Sequence, residues 1–149
     1  MAELTELEQV LPQEIEKRSF EIITQELGDR VLDEKQAPVI KRVIHTTADF
    51  DYADNLVFSP NVMELAWQAI REGTPIITDT NMGKSGINKK RLANYGSEVY
   101  CFMADEDVAE EARKHGTTRA CASMDKAARL GLNGIFAIGN APTALVRLH

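Results

Sequence analysis

The chain has 149 residues, of which 44% are hydrophobic and 27% charged, and carries a formal net charge of -6 at pH 7. That length supports one compact core and is short for two, so a single domain over residues 1–149 is expected. The acidic balance argues against a nucleic-acid surface; with no apolar run of membrane-spanning length and an acidic start, MAELTELEQVL, a cytoplasmic protein is expected.

Pro12–Leu27 reads as a helix stopped by Gly28, with Ile15, Phe20, Ile22, Ile23 and Leu27 on one broad face. Ser19 falls inside that stripe. A serine there commonly bonds its own helix backbone; the alternative is a hydroxyl lining a pocket. Asp33–Asp49 reads as a second helix, with Pro38 tolerated in its first turn and Val39, Ile40, Val43 and Ile44 as its core stripe. Arg42 and His45 share the opposite face. Two readings stand there: solvated residues near a helix end, or a guanidinium and an imidazole aimed together at an acidic ligand. Leu56–Phe58 is strand-like, and Ser59-Pro60 opens a helix through Ile70 with Val62, Leu65, Ala66, Ala69 and Ile70 inward.

Pro75–Ile77 reads as a buried strand opening into a polar, glycine-bearing loop over Asp79–Asn88, followed by the basic run Lys89-Lys90-Arg91. Glu98–Phe102 is a strand, and Asp105–His115 a helix with acids first and Arg113-Lys114-His115 last, which suits its dipole. Thr118 caps a helix over Arg119–Leu130, Gly134–Ile138 is a fourth strand, and Gly139-Asn140-Ala141-Pro142 starts a last helix. Strands alternating with helices imply an α/β fold whose mostly parallel sheet is covered on both faces. The final helix has barely begun at His149, and four short strands make a small sheet, so the chain reads as cut short, with C-terminal βα units missing.

Gly83-Lys84-Ser85 after a strand invites a nucleotide-binding reading, but a Walker loop needs glycine where Thr78 stands, and Gly86 interrupts the helix that should follow. The Gly139–Pro142 turn is a better anion site, because a helix start presents unpaired N–H groups; Asn140 is otherwise an N-cap. Lys84, Lys89, Arg91, Arg42 and Arg119 can supply a cationic pocket. Cys101 and Cys121 read as buried thiols, no zinc pattern is present, and His45 is the best acid–base candidate.

Arg18–Ile23, Arg42-Val43-Ile44-His45, Phe58-Ser59-Pro60, Asp79-Thr80-Asn81-Met82, Gly116-Thr117-Thr118-Arg119 and above all Ala137–Leu145 (AIGNAPTAL) together resemble the precorrin-8X methylmutase family, which includes the cobalt-precorrin-8 methylmutases. The resemblance implies a three-layer α/β/α fold and a homodimer with its active site at the subunit interface. It implies a cobalamin-pathway isomerase that moves a methyl group from ring carbon 11 to ring carbon 12 of a corrin precursor, giving hydrogenobyrinate or cobyrinate. It implies no separate cofactor. The catalytic histidine falls on His45, and substrate contacts fall on Ser19 and Arg42, with Asn88 and Arg119 as further pocket positions. Alternatives from other classes are a non-catalytic corrinoid-binding module and a nucleotide-binding domain using Gly83–Ser85.

Overall fold

The computed structural model describes residues 11, 12 and 14–149; the expectations for the first ten residues and for position 13 lie outside them. The chain forms two compact units that divide between Met63 and Glu64.

The first unit is built on helices α1 (Ile15–Leu27), α2 (Ala37–Thr47) and the short α3 (Tyr52–Asn55). α1 ends where Gly28 turns to φ 59°, a conformation that costs a residue without Cβ little. α2 starts later than expected because the Asp33 carboxylate accepts the N–H groups of Lys35 and Gln36, at 3.0 and 3.1 Å, holding a turn before the helix. Ile23, Leu27, Ile40 and Ile44 form the core of this unit, with Phe20, Leu32, Phe50, Tyr52, Leu56 and Phe58 packed against them. Helices this short are marginal alone. Burial of each aliphatic side chain, about 1.5–3 kcal/mol, is what holds the pair. Ile15 and Ile22 are exposed, so the apolar stripe of α1 is narrower than its sequence suggested.

Leu56–Phe58 is a correction. These residues join no strand: Leu56 is extended, and it and Phe58 pack onto the helical core while Val57 is 93% exposed. Burial alternates along an extended strap lying on helices, and among the described residues no strand pairs with it.

α4 (Val62–Arg71) runs across the division, and Leu65, expected inward, is exposed. The second unit continues with β1 (Ile76–Thr78), α5 (Asn81–Gly86), α6 (Lys89–Ala93), β2 (Val99–Tyr100), α7 (Glu106–Lys114), α8 (Arg119–Arg129), β3 (Ile135–Ala137) and α9 (Pro142–Leu148). Among the described residues the sheet has three strands, not four, in the order β2-β1-β3, all parallel. Register places Ile77 opposite both Tyr100 and Phe136. That row packs against Val108, Ala112, Ala120, Met124, Ala127 and Ala144, from α7, α8 and α9. Because strand side chains alternate, Thr78 points to the other face, where α5 approaches: a Cβ built on Gly83 would lie 3.5 Å from that of Thr78. Helices therefore cover both faces of this sheet, the three layers expected of a mixed α/β fold.

Gly134 is fixed by sterics. A Cβ there would overlap Ile77 Cδ1 and stand 2.6 Å from the Pro75 carbonyl oxygen, which already accepts the Ile135 N–H at 2.9 Å.

Candidate active site

In the first unit, α1 and α2 bring Ser19, Arg42 and His45 together. Ser19 Oγ lies 2.7 Å from His45 Nδ1. The Arg42 guanidinium donates to Glu16 Oε1 at 2.5 Å and lies 4.8 Å above the centre of the Phe20 ring. Phe20 also meets the His45 ring edge-to-face, with centroids 5.5 Å apart. The geometry follows from helix spacing: on α1 Glu16 stands three residues before Ser19 and four before Phe20, and on α2 Arg42 stands three before His45. The hydrogen bond from Arg42 holds the Glu16 carboxyl below its usual value, and the same bond raises the guanidinium. Both side chains are about half exposed, so the pair fixes geometry more than it adds stability. Ser19 therefore engages the imidazole of a second helix. A hydroxyl both donates and accepts, so it can stay bonded to Nδ1 whether that nitrogen is protonated or not, leaving Nε2 to exchange a proton elsewhere.

Asn88 and Arg119 lie in the second unit, and no hydrogen bond joins them. Asn88 caps α6, accepting the Arg91 N–H at 3.0 Å. Arg119 is the first residue of α8, exposed, just after Thr118, which caps that helix by accepting the Cys121 N–H at 3.1 Å. Lys89, expected in a cationic pocket, donates to the Lys84 carbonyl at 2.7 Å.

Two expectations are corrected here. The segment after β1 is helical: Thr80 caps α5 by accepting the Gly83 N–H at 3.0 Å, and the Lys84 N–H bonds the Thr80 carbonyl. The Gly83 and Lys84 amides are thus engaged within the helical turn, which counts against the nucleotide-binding reading. The Gly139–Pro142 turn is likewise no vacant anion site. Its Gly139, Asn140 and Ala141 N–H groups donate to the Asp79 carboxylate at 3.2, 2.8 and 2.8 Å. Burial pushes the Asp79 carboxyl up, but these amides together outweigh it and hold it below its usual value. Asn140 is not an N-cap; α9 begins from Ala141, which has no capping side chain. Cys101 is buried as expected, whereas Cys121 is only half-buried.

The sequence family described as precorrin-8X methylmutase matches residues 14–149. The chain belongs to the precorrin-8X methylmutase family. It is 45% identical over 139 residues to a cobalt-precorrin-8 methylmutase of Priestia megaterium, covering 93% of this chain and 62% of the relative. A cobalt-precorrin-8 methylmutase of Salmonella typhimurium is 46% identical, covering 92% and 68%. A precorrin-8X methylmutase of a Sinorhizobium species is 34% identical, covering 88% and 62%. The chain thus spans somewhat under two thirds of the length of most of these methylmutases. A crystal structure of the Thermus thermophilus precorrin-8X methylmutase aligns with a TM-score of 0.81 at 39% identity, covering 91% of this chain and 66% of that one.

Glu16 and Phe20 are the members of the Ser19–Arg42–His45 cluster that sequence reasoning missed. Their signal was present: an acid and an aromatic four apart, on the α1 face that also carries Ser19. Asp79 gave no such signal, since its partners lie 60 residues away.

Proposed function

We propose that the chain carries the proton-transferring and substrate-binding groups of a corrin-ring methylmutase. The reaction is migration of a methyl group from ring carbon 11 to ring carbon 12 of precorrin-8X or its cobalt form, giving hydrogenobyrinate or cobyrinate. The observation that carries this is the 2.7 Å contact between Ser19 Oγ and His45 Nδ1, beside a guanidinium already oriented by Glu16 and Phe20.

A methyl shift around a conjugated ring needs no nucleophile. It needs a proton placed on a ring nitrogen, which favours the rearranged electronic structure, and an imidazole suits that task near neutral pH. In this reading His45 gives and recovers the proton, and Ser19 keeps the ring oriented through both states. Arg42, Arg119 and Asn88 bind the carboxylate arms of the substrate. No separate cofactor is required. A homodimer with the site at its interface and a cytoplasmic location complete the reading; among the described residues no helix is long and apolar enough to cross a membrane.

The test is a visible-spectrum titration with hydrogenobyrinic acid and with cobyrinic acid, beside Arg42→Ala and His45→Ala, followed by turnover. Removing a charge-assisted contact should weaken binding by about 10- to 100-fold for Arg42→Ala. His45→Ala should abolish turnover with the fold intact. Near-normal turnover in that variant would sink the assignment.

A further inference from the structure

The second unit holds a cavity of about 580 Å³ lined by Glu111, His115, Cys121, Asp125, Arg129 and Arg147. Helix periodicity builds it. Cys121, Asp125 and Arg129 recur every fourth residue along one face of α8, Glu111 and His115 stand four apart at the end of α7, and Arg147 comes from α9. Two ion pairs tie these walls together. Arg129 Nη1 donates to Glu111 Oε1 at 3.2 Å between α8 and α7, and Arg147 Nε to Asp125 Oδ1 at 2.7 Å between α9 and α8.

The volume falls within the ~300–1,000 Å³ range of small-molecule sites. In each of these pairs the guanidinium uses one nitrogen of its fork, which leaves further N–H donors for the carboxylates of a ligand. The two acids beside them suit its ammonium groups. The cavity also presents a nucleophile that the methylmutase chemistry proposed above does not use. Cys121 is half-buried, lies in the first turn of the eleven-residue α8, where the helix dipole favours a thiolate, and donates to the Thr143 carbonyl at 3.3 Å. Hydrogen bonds with Thr118 and Thr117 hold the thiol below its ordinary value, against the opposing effect of burial. Arg147 and Cys121 also interact through charge.

We propose that this cavity binds a low-molecular-weight peptide disulfide and that Cys121 exchanges with it, becoming reversibly capped as a mixed disulfide. The Cys121 proton passes to solvent, and the thiolate sulfur attacks one sulfur of the bound disulfide. The ligand's S–S bond breaks, a new S–S bond joins Cys121 Sγ to one half, and the other half leaves as a thiolate that takes a proton from water. Cys121 is oxidised and the departing half reduced; excess free thiol runs the exchange backwards. Arg129 and Arg147 hold the ligand's carboxylates through the attack. This site goes beyond the corrin reading and stands or falls apart from it.

The test incubates the chain with glutathione disulfide and, separately, with the uncharged hydroxyethyl disulfide, and follows both by intact-mass spectrometry. Glutathione disulfide should add one glutathionyl group, released by dithiothreitol. Cys121→Ser, which leaves only the buried Cys101, should abolish the addition. The ratio of the two capping rates cancels any change in thiolate fraction and so reads recognition of the carboxylates. That ratio should fall about ten-fold in Arg129→Gln and in Arg147→Gln, each of which removes a charge-assisted contact. If one of the two does not fold, the other decides. No addition to the unaltered chain, addition that survives Cys121→Ser, or an unchanged ratio in a folded arginine variant would overturn the proposal.

Discussion

Replacing Gly134 with alanine adds one methyl group at the most crowded point of the sheet. The new Cβ overlaps Cδ1 of Ile77, a residue with no exposed surface, and stands 2.6 Å from the Pro75 carbonyl oxygen. Overpacking of this kind costs about 1–3 kcal/mol. Moving the Pro75 carbonyl also strains its 2.9 Å bond from Ile135, the first rung between β1 and β3, worth about another 1 kcal/mol. Gly134→Ala should therefore lose about 2–4 kcal/mol in urea unfolding followed by circular dichroism, with the slope unchanged. Ile77→Val removes the overlapped Cδ1 and by itself should cost about 0.5–1.5 kcal/mol. Together the two should cost at least about 1 kcal/mol less than their sum, because the deleted atom is the one the new methyl meets. A Gly134→Ala protein within about 0.5 kcal/mol of the parent, or a strictly additive pair, would refute this account of the strand contact.

Asp79, whose carboxyl is held below its ordinary value of 3.8, contributes stability that is fully present above that pH and is lost as pH falls through the lowered value. The difference in melting temperature between the parent and Asp79→Asn should accordingly be largest near neutrality and shrink in acid; parallel curves from pH 7 to below 3.8 would contradict a stabilising role for the three amide bonds to Asp79. Ser19→Ala should keep the fold but slow turnover, by about ten-fold if the hydroxyl orients the imidazole. Equal rates across the pH profile would remove Ser19 from the site. Thr118→Ala removes the cap of α8 and a 3.0 Å contact to Thr143. It should cost about 1 kcal/mol in the same unfolding assay. Lys126→Met breaks bonds to Asp105 and Asp107 at 2.7 and 2.8 Å, so the melting temperature should fall in low salt and fall less in high salt.

Much of this was legible because helix ends are local chemistry. Thr118, Gly28 and the acids opening α7 announce their elements within a few residues of the bonds they make. Leu56–Phe58 misled because a short apolar run suits an extended strap on a helical core as well as a paired strand. The α5 segment misled because Gly83 and Gly86 lower helix propensity, yet the Thr80 cap and the crowding of Gly83 against Thr80 and Thr78 favour a tight helical turn. At the site, His45 and Arg42 were visible as a pair on one helix face. Their partners Ser19 and Glu16 lie 26 residues away, and only packing of two helices reveals them.

The span between Asp79 and its turn has a consequence for how the chain is made. β1 leaves the ribosome well before β3, and the amides that Asp79 will bind follow it by 60 residues or more. At ordinary elongation rates one flank of Ile76–Thr78 stays unpaired for ~3–12 s. A short apolar strand waiting that long is a site for pairing with another nascent chain. Here Asp79 follows it at once, with Lys84, Lys89, Lys90 and Arg91 close behind. Charges flanking an unavoidable apolar strand act as gatekeepers against aggregation. The carboxylate that finally latches the sheet thus spends the preceding seconds guarding the strand it terminates.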